Sequence, residues 1–280
     1  MSVRIITDST VDLPESKRQA VTAVPLPVRF GDEEFLDGVT LTKRQFYEKL
    51  AQSDALPTTS QASPASFQKV FEEVTRAGDT AVVITLSSKL SGTYQSACLA
   101  AEDYPGIFVV DSQSASTGSG VLAELALRLA DEGRTAADIA ATLTEKRGDI
   151  CLIATLDTLE YLKKGGRISK TVAFAGGLLN IKPVISITDG AVVLEGKARG
   201  SRQGNNLLVQ KIREWGGIDF DLPILLGYTG LSDALLEKYV EDSQALWQEA
   251  GGVPESTMVC SVIGTHVGPG AVVASFFRKH

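Results

Sequence analysis

Cysteine, histidine and long apolar runs are scarce in this 280-residue chain, and each scarcity closes off a class of function. The three cysteines, Cys98, Cys151 and Cys260, are odd in number and far apart, with no Cys-x-x-Cys or Cys/His ligand spacing. That pattern excludes a disulfide framework and a thiolate zinc site, and fits a reducing compartment. Two histidines, one of them His280, leave a His-based metal site to be built almost entirely from carboxylates, so neither metal nor cofactor is expected. No stretch approaches the ~20 apolar residues of a membrane span. The segment MSVRIITDST also lacks the basic, apolar and small-residue parts of a secretory leader. A cytoplasmic protein with at most transient membrane contact is expected.

Positive charge is short too. Thirty-four acidic residues against 27 lysines and arginines give a net charge of −7, which argues against nucleic acid or an anionic bilayer as the main partner. With 44% apolar and 22% charged residues, the composition is that of a globular protein large enough for two domains.

Short β-branched runs alternate with helical spacing through the first half. Val3–Ile6, Val24–Phe30, Ala81–Leu86 and Ile107–Val110 read as strands; Thr42–Ser53, Ser66–Ala77, Gly92–Glu102, Gly118–Glu132 and Thr135–Lys146 read as helices. This is an α/β pattern with a mainly parallel sheet. After Gly148 the pattern changes: Ile150–Thr155, Val184–Thr188, Ala191–Glu195, Pro223–Tyr228 and Thr257–Ile263 read as strands, with a helix over Asp233–Ala250. Asp189-Gly190 between two such runs signals a hairpin. The expected organisation is an N-terminal α/β domain over 1–149 and a C-terminal α+β domain over 150–280 with a mixed or antiparallel sheet, a pocket lying at their junction.

Ligands of open α/β sheets collect at the carboxyl ends of strands. Three polar segments fall there: Thr7-Asp8-Ser9-Thr10, Ser87 through Thr93, and Asp111-Ser112-Gln113-Ser114. Ser91 stands beside a helix start, where free N–H groups and the helix dipole favour an anion; a serine there also caps the helix, the commoner duty for such a residue. In Pro57 through Pro64, Ser63-Pro64 reads as a cap and first turn, leaving Thr58, Thr59, Ser60 and Gln61 with no local duty. His266 lies in Gly264-Thr265-His266-Val267-Gly268-Pro269-Gly270, where three glycines and a proline imply a tight path presenting one imidazole at a fixed point. In Leu159 through Ile168, a helix C-terminus accounts for Lys163, Lys164 and the glycines but not for Arg167. Lys197, Arg199 and Arg202 supply a second basic group, suited either to phosphate or to a solvated hairpin edge.

Thr7-Asp8-Ser9, Thr59-Ser60-Gln61, Leu90-Ser91-Gly92-Thr93-Tyr94-Gln95-Ser96-Ala97, the Leu159–Ile168 segment, Leu179-Asn180-Ile181-Lys182-Pro183-Val184-Ile185 and the glycine-rich segment around His266 occur together and in order. In this set the chain resembles the bacterial DegV family, in particular the fatty-acid-binding subunits of fatty acid kinase. The resemblance implies a two-domain fold enclosing a long-chain fatty acid such as palmitate. Its carboxylate would be held by Thr59, Ser91 and His266, with Arg167 and Arg199 as contacts to a kinase partner or to phosphate, and Arg202 as an alternative to Arg199. It further implies a carrier without catalytic machinery, serving lipid transport or fatty acid metabolism. Such a carrier presents the carboxylate to a separate ATP-dependent fatty acid kinase for acyl phosphate formation.

Elementary energetics admits this ligand. About 15 buried carbon groups at ~0.8 kcal/mol each give a gross transfer on the order of 12 kcal/mol before the costs of association. The head group is the expensive part, and hydroxyl donors with an imidazole offset it. Two other readings use the same residues. Ser91, His266 and an acid such as Asp8 or Asp111 would make an acyl hydrolase, although Ser91 is not in a Gly-x-Ser-x-Gly elbow. A lipid-sensing regulatory module would share the pocket and differ only in its response once loaded.

Overall fold

A computed structural model of the chain describes residues 2–168 and 180–280; Leu179, part of one of the shared motifs, lies outside them. The chain begins β1 (Val3–Asp8), α1 (Glu15–Arg18), β2 (Val21–Val24), β3 (Pro27–Phe30), β4 (Glu33–Leu36), α2 (Lys43–Gln52), β5 (Thr58–Thr59), α3 (Pro64–Arg76). It continues β6 (Thr80–Thr85), α4 (Thr93–Ala101), β7 (Ile107–Asp111), α5 (Ser116–Asp131), α6 (Ala136–Lys146), β8 (Ile150–Thr155), α7 (Glu160–Lys164). It ends β9 (Ile181–Thr188), β10 (Ala191–Arg199), α8 (Gly200–Glu214), β11 (Leu225–Tyr228), α9 (Ala234–Asp242), α10 (Gln244–Glu249), β12 (Ser256–Met258), α11 (Ser261–Val267), β13 (Val272–Phe277).

The fold is α/β. A four-stranded sheet, β2-β1-β6-β7, is parallel throughout. A six-stranded sheet, β10-β9-β8-β13-β11-β12, is antiparallel except for the β11–β12 pair, and a small antiparallel sheet, β4-β3-β5, stands apart. The parallel half follows the β-branched runs as read, with Thr42, Ser63 and Thr135 capping α2, α3 and α6 through their side chains.

Three departures from the sequence reading have local causes. The run Val24–Phe30 is two strands in two sheets, because Pro25 and Pro27 remove the donors that would continue one ladder. Thr257–Ile263 is not one strand: it splits into β12 and the start of α11, whose first turn is capped by Cys260 Sγ accepting the Ile263 N–H at 3.5 Å. A short apolar run does not distinguish the two by periodicity. The helix over Asp233–Ala250 breaks at Ser243, whose hydroxyl donates to Tyr239 O and accepts from Trp247 Nε1 at 2.8 Å. Strand β13 and helix α8 complete the second half, beyond the elements expected from the sequence.

Period-two alternation on the six-stranded sheet decides which side chains meet the rest of the protein. Ile153, Leu226, Ala274 and Phe276 face outward onto Leu208 and Ile212 of α8, Tyr239 of α9 and Trp247 of α10. Their neighbours turn inward: Ile185, Ala154, Val273 and Gly227 are register partners in one row across β9, β8, β13 and β11. Helix α5 lies between the sheets. Its Val121, Leu122 and Leu125 share an apolar cluster with Ile5, Val82 and Ile84 of the parallel sheet and with Leu225 and Phe277 of the larger one.

Candidate functional site

The inward row has two small residues among its four, so the sheet carries a trough that α5 fills at one end only. There Thr117 meets Ser275, hydroxyl to hydroxyl, at 2.8 Å. Over the rest of the trough an apolar cavity remains, with about 90 Å³ of space for a water-sized sphere. It is therefore a narrow slot. Its floor includes Ile185, Ala154, Val273, Gly227 and Ala271, and its walls include Leu26, Leu86, Leu90, Leu162 and Ile263, so both halves of the chain contribute.

Thr59, Ser91, Arg167 and His266 all line this slot. Thr59 is placed by pairing with Val28 on β3. His266 stands on helix α11, which Gly268 ends at φ 72°, where a Cβ would lie 2.4 Å from the Tyr161 ring; the imidazole is thus aimed by a helix and not by a turn after a strand. Thr59 Oγ1 and His266 Nε2 are 2.8 Å apart. The α7 C-terminus closes as a Schellman motif, with Gly166 at φ 70°, its N–H donating to Lys163 O at 3.1 Å and Arg167 N–H to Leu162 O at 3.0 Å. That turn brings Gly165 so near the imidazole that a Cβ would lie 2.3 Å from Nδ1. It also lets Arg167 donate to Gly165 O at 2.6 Å and to Leu90 O at 3.2 Å, next to Ser91.

Burial, and secondarily the Arg167 charge, push the His266 pKa down to about 4, so the ring is neutral near pH 7. Nδ1 is buried with no hydrogen-bond partner among the described residues. In the tautomer with the proton on Nε2, Thr59 accepts and its own proton is left for an anion in the slot. Arg167 supplies the positive charge.

The other strand-end segments lock loops. Asp8 is fully buried; Oδ1 accepts from Thr10 N–H and hydroxyl, and Oδ2 from Leu86 N–H at 2.8 Å, tying the ends of β1 and β6. Asp111 accepts from the Ser88 and Gln113 amides. Neither carboxylate reaches His266, whose Nδ1 has no partner among the described residues, so no Ser-His-acid triad is assembled there. Arg199 is exposed at the end of β10, donates its N–H to Gln203 Oε1 at 3.1 Å and does not line the slot; Arg202 is exposed in the first turn of α8 and does not line it either. Among the described residues, no cluster of His, Cys, Asp or Glu could hold a metal ion, and no helix is long and apolar enough to cross a membrane.

Sequence reading missed the floor and the bracing. Gly227, Ala154 and Ala271 carry no polar signal. Gln61 lies over Gly92, where a Cβ would meet Gln61 Oε1 at 2.1 Å, and its Nε2 donates to Ser96 Oγ at 2.9 Å. Thr93, fully buried, contacts both Ser91 and Ala62.

A family profile described as an uncharacterised protein of the DegV family matches residues 2–279. A DegV domain-containing protein of Caldanaerobacter subterraneus is 35% identical, with 99% of each chain covered. Among solved structures, a DegV family protein from Thermus thermophilus, described by its fatty acid binding, superposes with a TM-score of 0.87 at 33% identity over 99% of this chain and 100% of that one. A stearic-acid-binding protein from Eubacterium ventriosum gives 0.84 at 28% identity, covering 100% of this chain and 99% of that one.

Proposed function

The chain belongs to the DegV family, and from that premise we propose that it binds and buries one long-chain fatty acid, of the palmitate class, as a carrier with no catalysis of its own. The observation that carries this reading is the narrow apolar slot into which Thr59, Ser91, His266 and Arg167 all open. An extended polymethylene chain matches a narrow apolar slot, and the hydroxyls, the neutral imidazole and the guanidinium match a carboxylate. Fatty acid binding in the Thermus and Eubacterium relatives supports the same ligand. The division of the chain at 149/150, with the pocket at the junction, belongs to this proposal. So does cytoplasmic delivery of the acid to a separate ATP-dependent kinase for acyl phosphate formation, with Arg167 and Arg199 as partner contacts.

Native mass spectrometry of the purified protein tests the ligand, with a mass increment of one fatty acid expected. Thr59→Ala and Ser91→Ala should each keep the fold and weaken retention by about 1–3 kcal/mol, the usual loss for a buried hydrogen bond. Undiminished acid in both variants would sink the assignment. Adding a fatty acid kinase and ATP to the loaded protein should yield acyl phosphate, and none should form without the kinase.

A further inference from the structure

Two backbone amides fix the hydrogen-bond bookkeeping around Ser91. The Thr93 N–H donates to Ser91 Oγ at 3.3 Å, and the Ala62 N–H donates to Thr93 Oγ1 at 3.3 Å. The two hydroxyl oxygens are 3.0 Å apart, so one donates to the other. If Ser91 donated, the Thr93 proton would be left in a fully buried position without an acceptor, since Thr93 is 0% exposed and does not line the slot. An unmet buried donor is costly. If Thr93 donates, Ser91 Oγ accepts both the N–H and the O–H of Thr93, and the one proton still to be placed points at the slot that Ser91 lines.

We propose that Thr93 is a positioning residue that turns the Ser91 hydroxyl into a fixed proton donor toward the slot, and thereby selects ligands whose head group only accepts. The inference rests on the carboxylate reading of the site and names what makes that site prefer an acid. Thr93 does not touch the ligand. It acts through Ser91, and its own orientation is held by Ala62, three residues beyond Thr59, so the two segments that supply hydroxyls are joined at this point. A fatty alcohol of equal length is the discriminating ligand, because it can accept from Ser91 or donate to it, whereas a carboxylate can only accept.

The test uses delipidated full-length protein and calorimetric titration with palmitic acid and with hexadecanol. Wild type should prefer the acid. Thr93→Val keeps the shape and removes the hydroxyl, so Ser91 is free to rotate; acid affinity should fall about three- to tenfold, the equivalent of one net hydrogen bond, with the alcohol little changed. Thr93→Ser should restore the preference, and Thr93→Ala removes the same hydroxyl should the valine variant not fold. A parallel loss for both ligands, or an unchanged acid-to-alcohol ratio in the hydroxyl-less variants, would overturn the role of Thr93 while leaving the fatty acid reading intact. A wild-type protein indifferent between acid and alcohol would overturn the carboxylate reading itself.

Discussion

His266 is a base kept neutral by its surroundings, and that has a measurable sign. Its folded pKa is about 4 against 6.5 when unperturbed, so between those values the unfolded chain binds more protons than the folded one. Its contribution is full above pH 6.5 and is lost as pH falls toward 4, up to about 3 kcal/mol in all. Asp8 acts oppositely: burial raises its carboxyl from 3.8 to about 6, so its share is present at low pH and is lost as pH rises through that window. Comparison with His266→Gln separates the two. Urea unfolding of delipidated protein at pH 7 and pH 4.5 should show the wild type losing ~2–3 kcal/mol more than the variant; equal losses would show that the imidazole is not held neutral. Single residues are partly legible in the sequence. Thr59 and Gln61 stand out as polar side chains with no local duty, His266 as an imidazole set among glycines and Arg167 as the residue a helix cap leaves over, while Ser91 reads first as a helix cap. Thr93 does not, because the amide it holds, on Ala62, lies about thirty residues away along the chain.

Elements of the parallel half are readable because β1, β6 and β7 are largely buried and three of the helices carry a side-chain cap in the adjacent residue, as Thr42, Ser63 and Thr135 show. The second half is harder. In α11 the residues Val262, Ile263 and Val267 satisfy strand and helix patterns alike, and the cap that decides between them is a cysteine. The trough is invisible for another reason: it exists only when Ala154 and Gly227, from strands 70 residues apart in sequence, come into one row. Filling that row tests where the acyl chain runs. In Gly227→Val the new Cβ would meet Thr117 Cγ2 and Val273 Cγ1 at 3.1 Å and the branch would intrude on the slot. A stability cost of about 1–3 kcal/mol is expected, together with a shift of the co-purified acids to shorter chains by mass spectrometry. An unchanged acid profile would place the chain away from β11.

At the scale of the whole molecule, the sequence suggests two units and the packing binds them closely. Helix α5 serves both sheets, and α11, late in the chain, packs among residues of α2: a Cβ on Gly264 would lie 2.7 Å from Phe46 Cε1, and Tyr47 donates to Val259 O at 3.1 Å. Neither half can lose its fold without exposing the apolar face of the other, so thermal unfolding of ligand-free protein should be one cooperative transition, with calorimetric and van't Hoff enthalpies equal. Two separated transitions would show that the halves are independent. Saturating fatty acid at about a thousand times its dissociation constant should then raise that single transition by about 4 kcal/mol of added stability.

The Thr59–His266 pair spans 207 residues of sequence. During synthesis at about 5–20 residues per second, threonine and histidine emerge roughly 10–40 s apart. Through that interval the nascent chain already has its first strands and helices but no imidazole to complete the head-group seat. The proposed seat is therefore complete only once His266 and the slot residues Ala271 and Val273 have followed Thr59 out, and a chain cut short before residue 266 should retain a fatty acid far more weakly than the full chain.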